Sequence, residues 1–529
     1  MIARKLGLLV VPLMAVCACA QTASPHLFFR VTLGSSMPGP VSGRVLIFLE
    51  EGSGAKAVAV NEFRPSATSV AAKEVADLAP GASVDIDMDA LAFPAPFSAL
   101  KPGTYEAQAV LDVDHSYAYD GLEPGDLQSP VVALPNWTPG SGDEPNFVLE
   151  HAVEARTPHL PTAPEAQAAA HATELADFVS PALTAFWGQP MHIRGWVVLP
   201  PGYADHPRDR YPTVYWTHGF GAKLDTIKPY AAMIYSRMAS GKMPPMIWVL
   251  LDESLPTGTH EFADSVNNGP WGEALTAEFI PWVEAKYRMD AKASGRFLNG
   301  HSSGGWATLQ LEVNYPTVFG GTWSTSPDPS DFHDFTGVDL YAAHANLYHR
   351  ADGTPYPLVR DHDKVIATFE EFGHQEEVLG AYGGQLASFE WVFSPRGADG
   401  RPLEMFDRQT GDVHADVVAY WHDHYDLAHI VETNWATRGR DLKGRIHVVV
   451  GTADTFYLDG AAHKFEAVLK KLNAEPHFTY RDNRTHFDLY EEGGDRMAMM
   501  DEIAEQMYAV ARPRAHWKRP AGAPAAILQ

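Results

Sequence analysis

The pentapeptide Gly300-His301-Ser302-Ser303-Gly304, followed by Gly305, constrains this 529-residue chain more than any other stretch. It comes directly after the short apolar run Arg296-Phe297-Leu298-Asn299. It precedes a helical segment, Trp306 to Tyr315, that stops before Pro316. A chain turning this sharply from strand to helix holds its central residue in a strained backbone conformation. A side chain two positions before or after would collide with the neighbouring strand or helix, so glycine occupies both places. The turn lifts the Ser302 hydroxyl to a helix N-terminus, where negative charge is favoured. Ser303 is the rival serine but lacks a glycine two residues before it. Its backbone N–H is the group expected to matter.

The regions on either side differ in pattern. From about 24 to 155, short strand-like runs such as Gly43–Leu49 and Val84–Met88 are punctuated by Gly, Pro and Ser. Leu100-Lys101-Pro102-Gly103-Thr104-Tyr105 places a tyrosine at a strand start, like the tyrosine corner of immunoglobulin-like sandwiches. A β-sandwich is expected there, with the Pro- and Ala-rich stretch 156–180 as a linker running into a helix. From 181 to 515, strands alternate with longer helical segments, which predicts a mostly parallel sheet covered by helices on both faces. The Asp-, His- and aromatic-rich stretch 327–440 breaks the rhythm and is expected to be a helical insertion.

An activated serine needs a base, and the base needs an orienting carboxylate. The strand Arg445–Val450 runs into Gly451-Thr452-Ala453-Asp454, and the strand Pro476–Tyr480 is followed by Arg484-Thr485-His486. An acid and a histidine on successive loops at one end of a sheet can meet a serine at the same rim. Asp454 and His486 are therefore expected to join Ser302 as acid, base and nucleophile, with Asp459 and Asp328 as rival acids. The backbone N–H of Ser303 and of Phe220, with Gly219 as second choice, are expected to face the developing oxyanion. Phe220 lies in the turn His218-Gly219-Phe220-Gly221 at the end of the strand Thr213–Thr217. Trp271 and Trp323 are expected to line a substrate pocket.

The elbow, the His-Gly-Phe-Gly turn and the Asp454/His486 placement resemble the putative-esterase group of α/β-hydrolases, which includes esterase-D-like, enterochelin-esterase-like and feruloyl-esterase-like proteins. Phe262-Ala263-Asp264-Ser265, Asn268-Gly269-Pro270-Trp271-Gly272 and Glu278-Phe279-Ile280-Pro281-Trp282 with Tyr287-Arg288 carry the same resemblance, which spans roughly 185–510. It implies an α/β-hydrolase fold and cofactor-free hydrolysis of carboxylic esters through an acyl-serine intermediate. Three alternatives stay open: an acyltransferase on the same scaffold, a binding protein that has lost catalysis, and a peptidase, since acyl transfer from amides uses the same machinery.

Charge and motifs narrow the partners. The formal charge of −26 repels phosphate backbones, so nucleic acid is not expected. No nucleotide-binding glycine loop occurs. The run Asp412, His414, Asp416, His422, Asp423, His424 lacks metal-ligand spacing, so no metal or cofactor is expected. A small-molecule or polysaccharide-linked ester is the expected substrate. Arg4 and Lys5, the apolar run Leu6–Ala18 and Ala18-Cys19-Ala20 read as a signal peptide over 1–20, implying a secreted or periplasmic product. Val16-Cys17-Ala18-Cys19 also fits a lipoprotein box with Cys19 lipidated. No later segment is long and apolar enough to cross a membrane.

Overall fold

In the computed structural model, which describes residues 26–61, 63–155, 163–380, 383–515, 517, 527 and 528, eight strands form one mixed sheet. They are β1 (Thr173–Val179), β2 (His192–Val198), β3 (Thr213–Thr217), β4 (Ile247–Leu251), β5 (Arg296–His301), β6 (Thr322–Thr325), β7 (Ile446–Gly451) and β8 (His477–Arg481). Their order is β1-β2-β4-β3-β5-β6-β7-β8. β2 is antiparallel to both its neighbours, and every pair from β4 to β8 is parallel. The segment 1–20 with Cys19, and residues 156–162 of the expected linker, lie outside the described residues. The rest of that stretch does run into a helix, Pro164–His171, but Thr173–Val179 is the sheet's edge strand and not linker. Only Ala176 is buried in this edge strand, with Leu175 and Val179 exposed, so no burial alternation marks it in the sequence.

The central strands are apolar runs because both faces of the sheet are covered. β3 and β4 are buried at every position. Val214 and Trp216 point to one face, where α1 (Leu224–Ala239) packs with a C-terminal helix, Ala498–Ala511. Tyr215 points to the other face, against Phe279, Ile280 and Val283. α2 (Ser303–Asn314) follows β5 and is buried along almost its whole length. Between β6 and β7 the chain makes a hairpin, Pro357–Asp361 with Lys364–Thr368. It then forms α3 (Phe369–Leu379), two further helices, and α4 (Leu427–Leu442), which packs on α2. α5 (Leu458–Lys471) links β7 to β8.

Residues 28–152 form two sheets of their own, of three and seven strands. Phe29 and Val31 of the smaller sheet share a core with Val45 and Ile47 of the larger. The other face of the larger sheet is also covered: Leu46, Phe48 and Val70 pack with Val378 and Leu379 of α3. This explains why Val41–Glu51 is buried over seven consecutive residues instead of at alternate ones. Arg44, itself buried, donates from Nε to the carbonyl of Val378 and from Nη2 to that of Glu377, both at 2.9 Å, and pairs with Glu74. These carbonyls belong to the last turn of α3, where no helical partner remains.

Arg44→Ala leaves two buried carbonyls unpaired. It is expected to destabilise the chain by about 1–3 kcal/mol, read as a lower urea midpoint against the parent protein.

Candidate active site

The turn between β5 and α2 places Ser302 at φ 60°, ψ −126°, a positive φ that a side chain adopts only under strain. Three backbone hydrogen bonds hold it. Ser302 N–H donates to the Thr325 carbonyl at 3.1 Å, while the Ser302 carbonyl accepts from Trp306 N–H at 3.1 Å and Asp328 N–H at 3.2 Å. A Cβ on Gly300 would strike the Gly304 carbonyl, and one on Gly304 would strike the carbonyl of His218 at the end of β3. Both glycines are therefore required by contact, as the spacing implied. Gly219 abuts the serine, since a Cβ there would lie 2.9 Å from Ser302 Cβ.

His486 and Asp454 meet. The imidazole Nδ1 lies 2.9 Å from Asp454 Oδ2, with Asp454 fully buried. Asp454 Oδ1 accepts from the N–H of Phe456 at 3.0 Å and of Leu458 at 3.4 Å. Burial pushes this carboxyl up, but His486 and the donated hydrogen bonds outweigh it and hold the group below the ordinary aspartate range. The ring of His486 stands 4.3 Å, centroid to centroid, from that of His301, the residue before Ser302. The loop carrying residue 486 thus lies against the serine turn. His301 Nδ1 is 3.1 Å from Thr325 Oγ1. Burial and the neighbouring His486 push its pKa down to about 3, which keeps it neutral.

The rival acids have other partners. Asp328 accepts the Ser303 hydroxyl at 2.6 Å, and burial pushes its carboxyl up to about 6. Asp459 pairs with Arg360 at 3.0 Å. Arg360, from the hairpin after β6, also donates to the carbonyl of Asp454 at 2.7 Å, so it fixes the loop that carries the acid. His218 does the same for the turn after β3. Its Nε2 lies 3.0 Å from Glu253 N–H and accepts from it, so Nδ1 carries the proton and donates to the Gly219 carbonyl at 2.8 Å. Because the peptide is planar and trans, this bond also sets the direction of the Phe220 N–H. From the N-terminal sheets, Tyr119 OH donates to the Ala222 carbonyl at 2.8 Å, and its ring meets that of Phe220 edge-on at 4.9 Å. Arg360, His218 and Tyr119 were not singled out from the sequence. His218 alone had a local signal, its place in the His-Gly turn.

Trp271 and Trp323 lie in the core and not on an open wall. Trp271 is 2% exposed, stacked on His260 at 3.6 Å, with its N–H donated to the Asn268 carbonyl. Trp323 is 1% exposed, lies within β6, and donates to Gln506. Both are core residues whose indole N–H groups are satisfied internally. Of the Asp- and His-rich run, His422 and Asp423 approach His429 closely enough to offer three ligand atoms within 4.8 Å of one another, away from Ser302 in sequence and on a partly exposed surface.

The profile of the family described as "Putative esterase" matches residues 185–500. The chain belongs to that family. As in its relatives, the fold is α/β-hydrolase-like, here with a mixed sheet. Two curated proteins of Mycobacterium tuberculosis, Esterase MT1326 (strain CDC 1551 / Oshkosh) and Esterase Rv1288 (strain ATCC 25618 / H37Rv), are each 31% identical over 145 residues, 26% of this chain. The chain spans 30% of the length of these relatives. Among solved structures, a ferulic acid esterase is 15% identical with a TM-score of 0.39, covering 64% of this chain and 98% of that one. An S-formylglutathione hydrolase from Agrobacterium tumefaciens is 14% identical with a TM-score of 0.36, covering 63% and 94%. Likenesses this distant carry no argument about substrate. Among the described residues of this family member, no helix is long and apolar enough to cross a membrane.

Asp328 generates a pH prediction. Its folded-state pKa of about 6 stands above the ordinary aspartate value of 3.8, so its contribution to stability is complete below pH 4 and is lost as pH rises to about 6. Asp328→Asn removes that loss. Between pH 4 and 7 the variant is expected to gain about 2–3 kcal/mol relative to the parent, read from urea midpoints at each pH.

Proposed function

We propose that this chain hydrolyses carboxylic esters through an acyl-serine intermediate, with Ser302 as nucleophile, His486 as general base and Asp454 as its orienting acid. The observation that carries this reading is the His486–Asp454 hydrogen bond of 2.9 Å on a loop packed against the serine turn. With Nδ1 bound to the carboxylate, the imidazole presents Nε2 as the basic nitrogen. His486 Nε2 takes the Ser302 proton as Oγ attacks the ester carbonyl. The resulting oxyanion is met by the N–H of Ser303, at the start of α2, and that of Phe220, oriented by His218. Collapse expels the alcohol, which receives the proton from His486. Water then attacks the acyl-enzyme by the same route in reverse. The buried, negatively charged Asp454 stabilises the imidazolium in both halves.

Three finer points belong to the same reading. The N-terminal sheets form an immunoglobulin-like sandwich over 24–155, a reading supported by Tyr105 OH donating to the Lys101 carbonyl at 2.9 Å, four residues upstream. The catalytic portion is 181–515, with 327–440 as its insertion. The protein is exported, on the strength of the signal-like segment 1–20.

Ser302→Ala is expected to abolish labelling by a fluorophosphonate probe and to lower kcat by roughly 10⁴-fold or more. Asp454→Asn is expected to lower kcat by about 10⁴-fold, whereas Asp328→Asn, whose parent residue bonds Ser303 and not His486, stays within about tenfold. Equal losses at 454 and 328 would remove the assignment of the acid.

A further inference from the structure

A cavity of about 490 Å³ lies between the N-terminal sheets and α3. This is within the ordinary size of a small-molecule site. Its walls include Phe63, Tyr117 and Tyr119 from the N-terminal portion, Phe372 and Leu379 from α3, and Phe220 from the turn after β3. Among the described lining residues the one charged side chain is Glu376. It is occupied, accepting from the N–H of Leu386 at 3.0 Å and of Ala387 at 2.8 Å. The cavity therefore offers five aromatic rings and the uncharged amides of Asn61, Gln375 and Gln385, with no free charge, a lining that suits an uncharged ring.

Its position ties it to the serine from two sides. Phe220 follows Gly219, whose backbone abuts Ser302. Phe63 packs edge-on at 5.4 Å against Phe487, the residue after His486. Phe487 remains 66% exposed, an apolar ring left in solvent beside the buried histidine. The cavity is thus flanked by the neighbours of both the oxyanion turn and the base, and three of its five described aromatic wall residues come from outside the region matched by the family profile.

Resting on the ester-hydrolase reading above, we propose that this cavity is the subsite for an uncharged, ring-bearing arm of the ester, and that Phe63, Tyr117 and Tyr119 make the N-terminal portion a specificity-determining part of the active site. The bulky arm could belong to the acyl group or to the alcohol, and both present the same chemistry to the walls.

The test uses the full chain and three substrates: methyl acetate, methyl 2-naphthoate (bulky acyl) and 2-naphthyl acetate (bulky alcohol). Two variants are compared with the parent, Ala118→Trp, which fills the cavity, and Phe63→Ala, which removes a wall. The expected result is a fall of at least tenfold, in one or both variants, in the kcat/KM ratio of one naphthyl substrate over methyl acetate, carried by KM. The substrate that responds identifies the arm. Ratios within twofold of the parent on both naphthyl substrates, with Ser302 still labelled by a fluorophosphonate, overturn the subsite and leave the hydrolase reading standing. A parent protein that is not labelled at Ser302 overturns both. If one variant fails to fold, the other gives the answer, since they change the cavity in opposite senses.

Discussion

The positive φ of Ser302 is the constraint from which the site follows. A non-glycine residue in this conformation costs about 1–3 kcal/mol, so it persists only because its surroundings fix it. Here the backbone N–H and carbonyl of the serine are both tied to the strand end at Thr325 and to Asp328 beyond it. The Ser303 hydroxyl adds a further bond to the Asp328 carboxylate. The close approaches at Gly300 and Gly304 remove any room to relax. A turn held so firmly presents its hydroxyl and the first N–H groups of α2 in one geometry before any ligand arrives, and such preorganisation makes electrostatic stabilisation effective.

The parts of this site legible in the sequence are those set by local chemistry. Gly300, Ser302 and Gly304 could be read because the turn needs small residues at a fixed spacing. Asp454 and His486 could be read because strand ends in an α/β sheet deliver their loops to one rim. What could not be read is long-range. Tyr119 reaches Ala222 across 103 residues, and Arg360 reaches Asp454 across 94. No periodicity or spacing records such a bond. Trp271 and Trp323 failed for a related reason: an indole fits a pocket wall or a core equally well in sequence, and only the partners of its N–H distinguish the two. The stretch 173–179 misled because an edge strand with a single buried residue, Ala176, and apolar residues on its exposed side shows no alternation that separates it from a linker.

The N-terminal portion is more closely joined to the rest than its repetitive β pattern suggested. A sheet with one covered face shows alternation; Val41–Glu51 shows a continuous buried run because α3 covers its second face. Burial of Leu379 and Val378 against Leu46 and Phe48 contributes hydrophobic stabilisation, of the order of 1.5–3 kcal/mol for each large side chain fully buried. Arg44 then satisfies the helix end that this packing would otherwise leave stranded. The same contact fixes where α3 stands, and so fixes the wall it offers to the cavity beside Phe220.

The acid and the base owe their separation to the ladder between β7 and β8. These strands pair in parallel with Gly451 opposite Arg481, so their loops leave the sheet side by side. Beyond the ladder the two loops continue to bond: Thr452 N–H donates to the Arg481 carbonyl at 3.0 Å, Ala453 N–H to the Arg484 carbonyl at 3.1 Å, and Asn483 N–H to Thr452 Oγ1 at 2.9 Å. At Gly451 the second loop passes so near that a Cβ would strike the Arg484 carbonyl. Asp454 and His486 are therefore one and two residues past the Ala453–Arg484 bond of a cross-braced pair of turns. Each side chain has little freedom to depart from the other, and a single strand register sets their hydrogen bond.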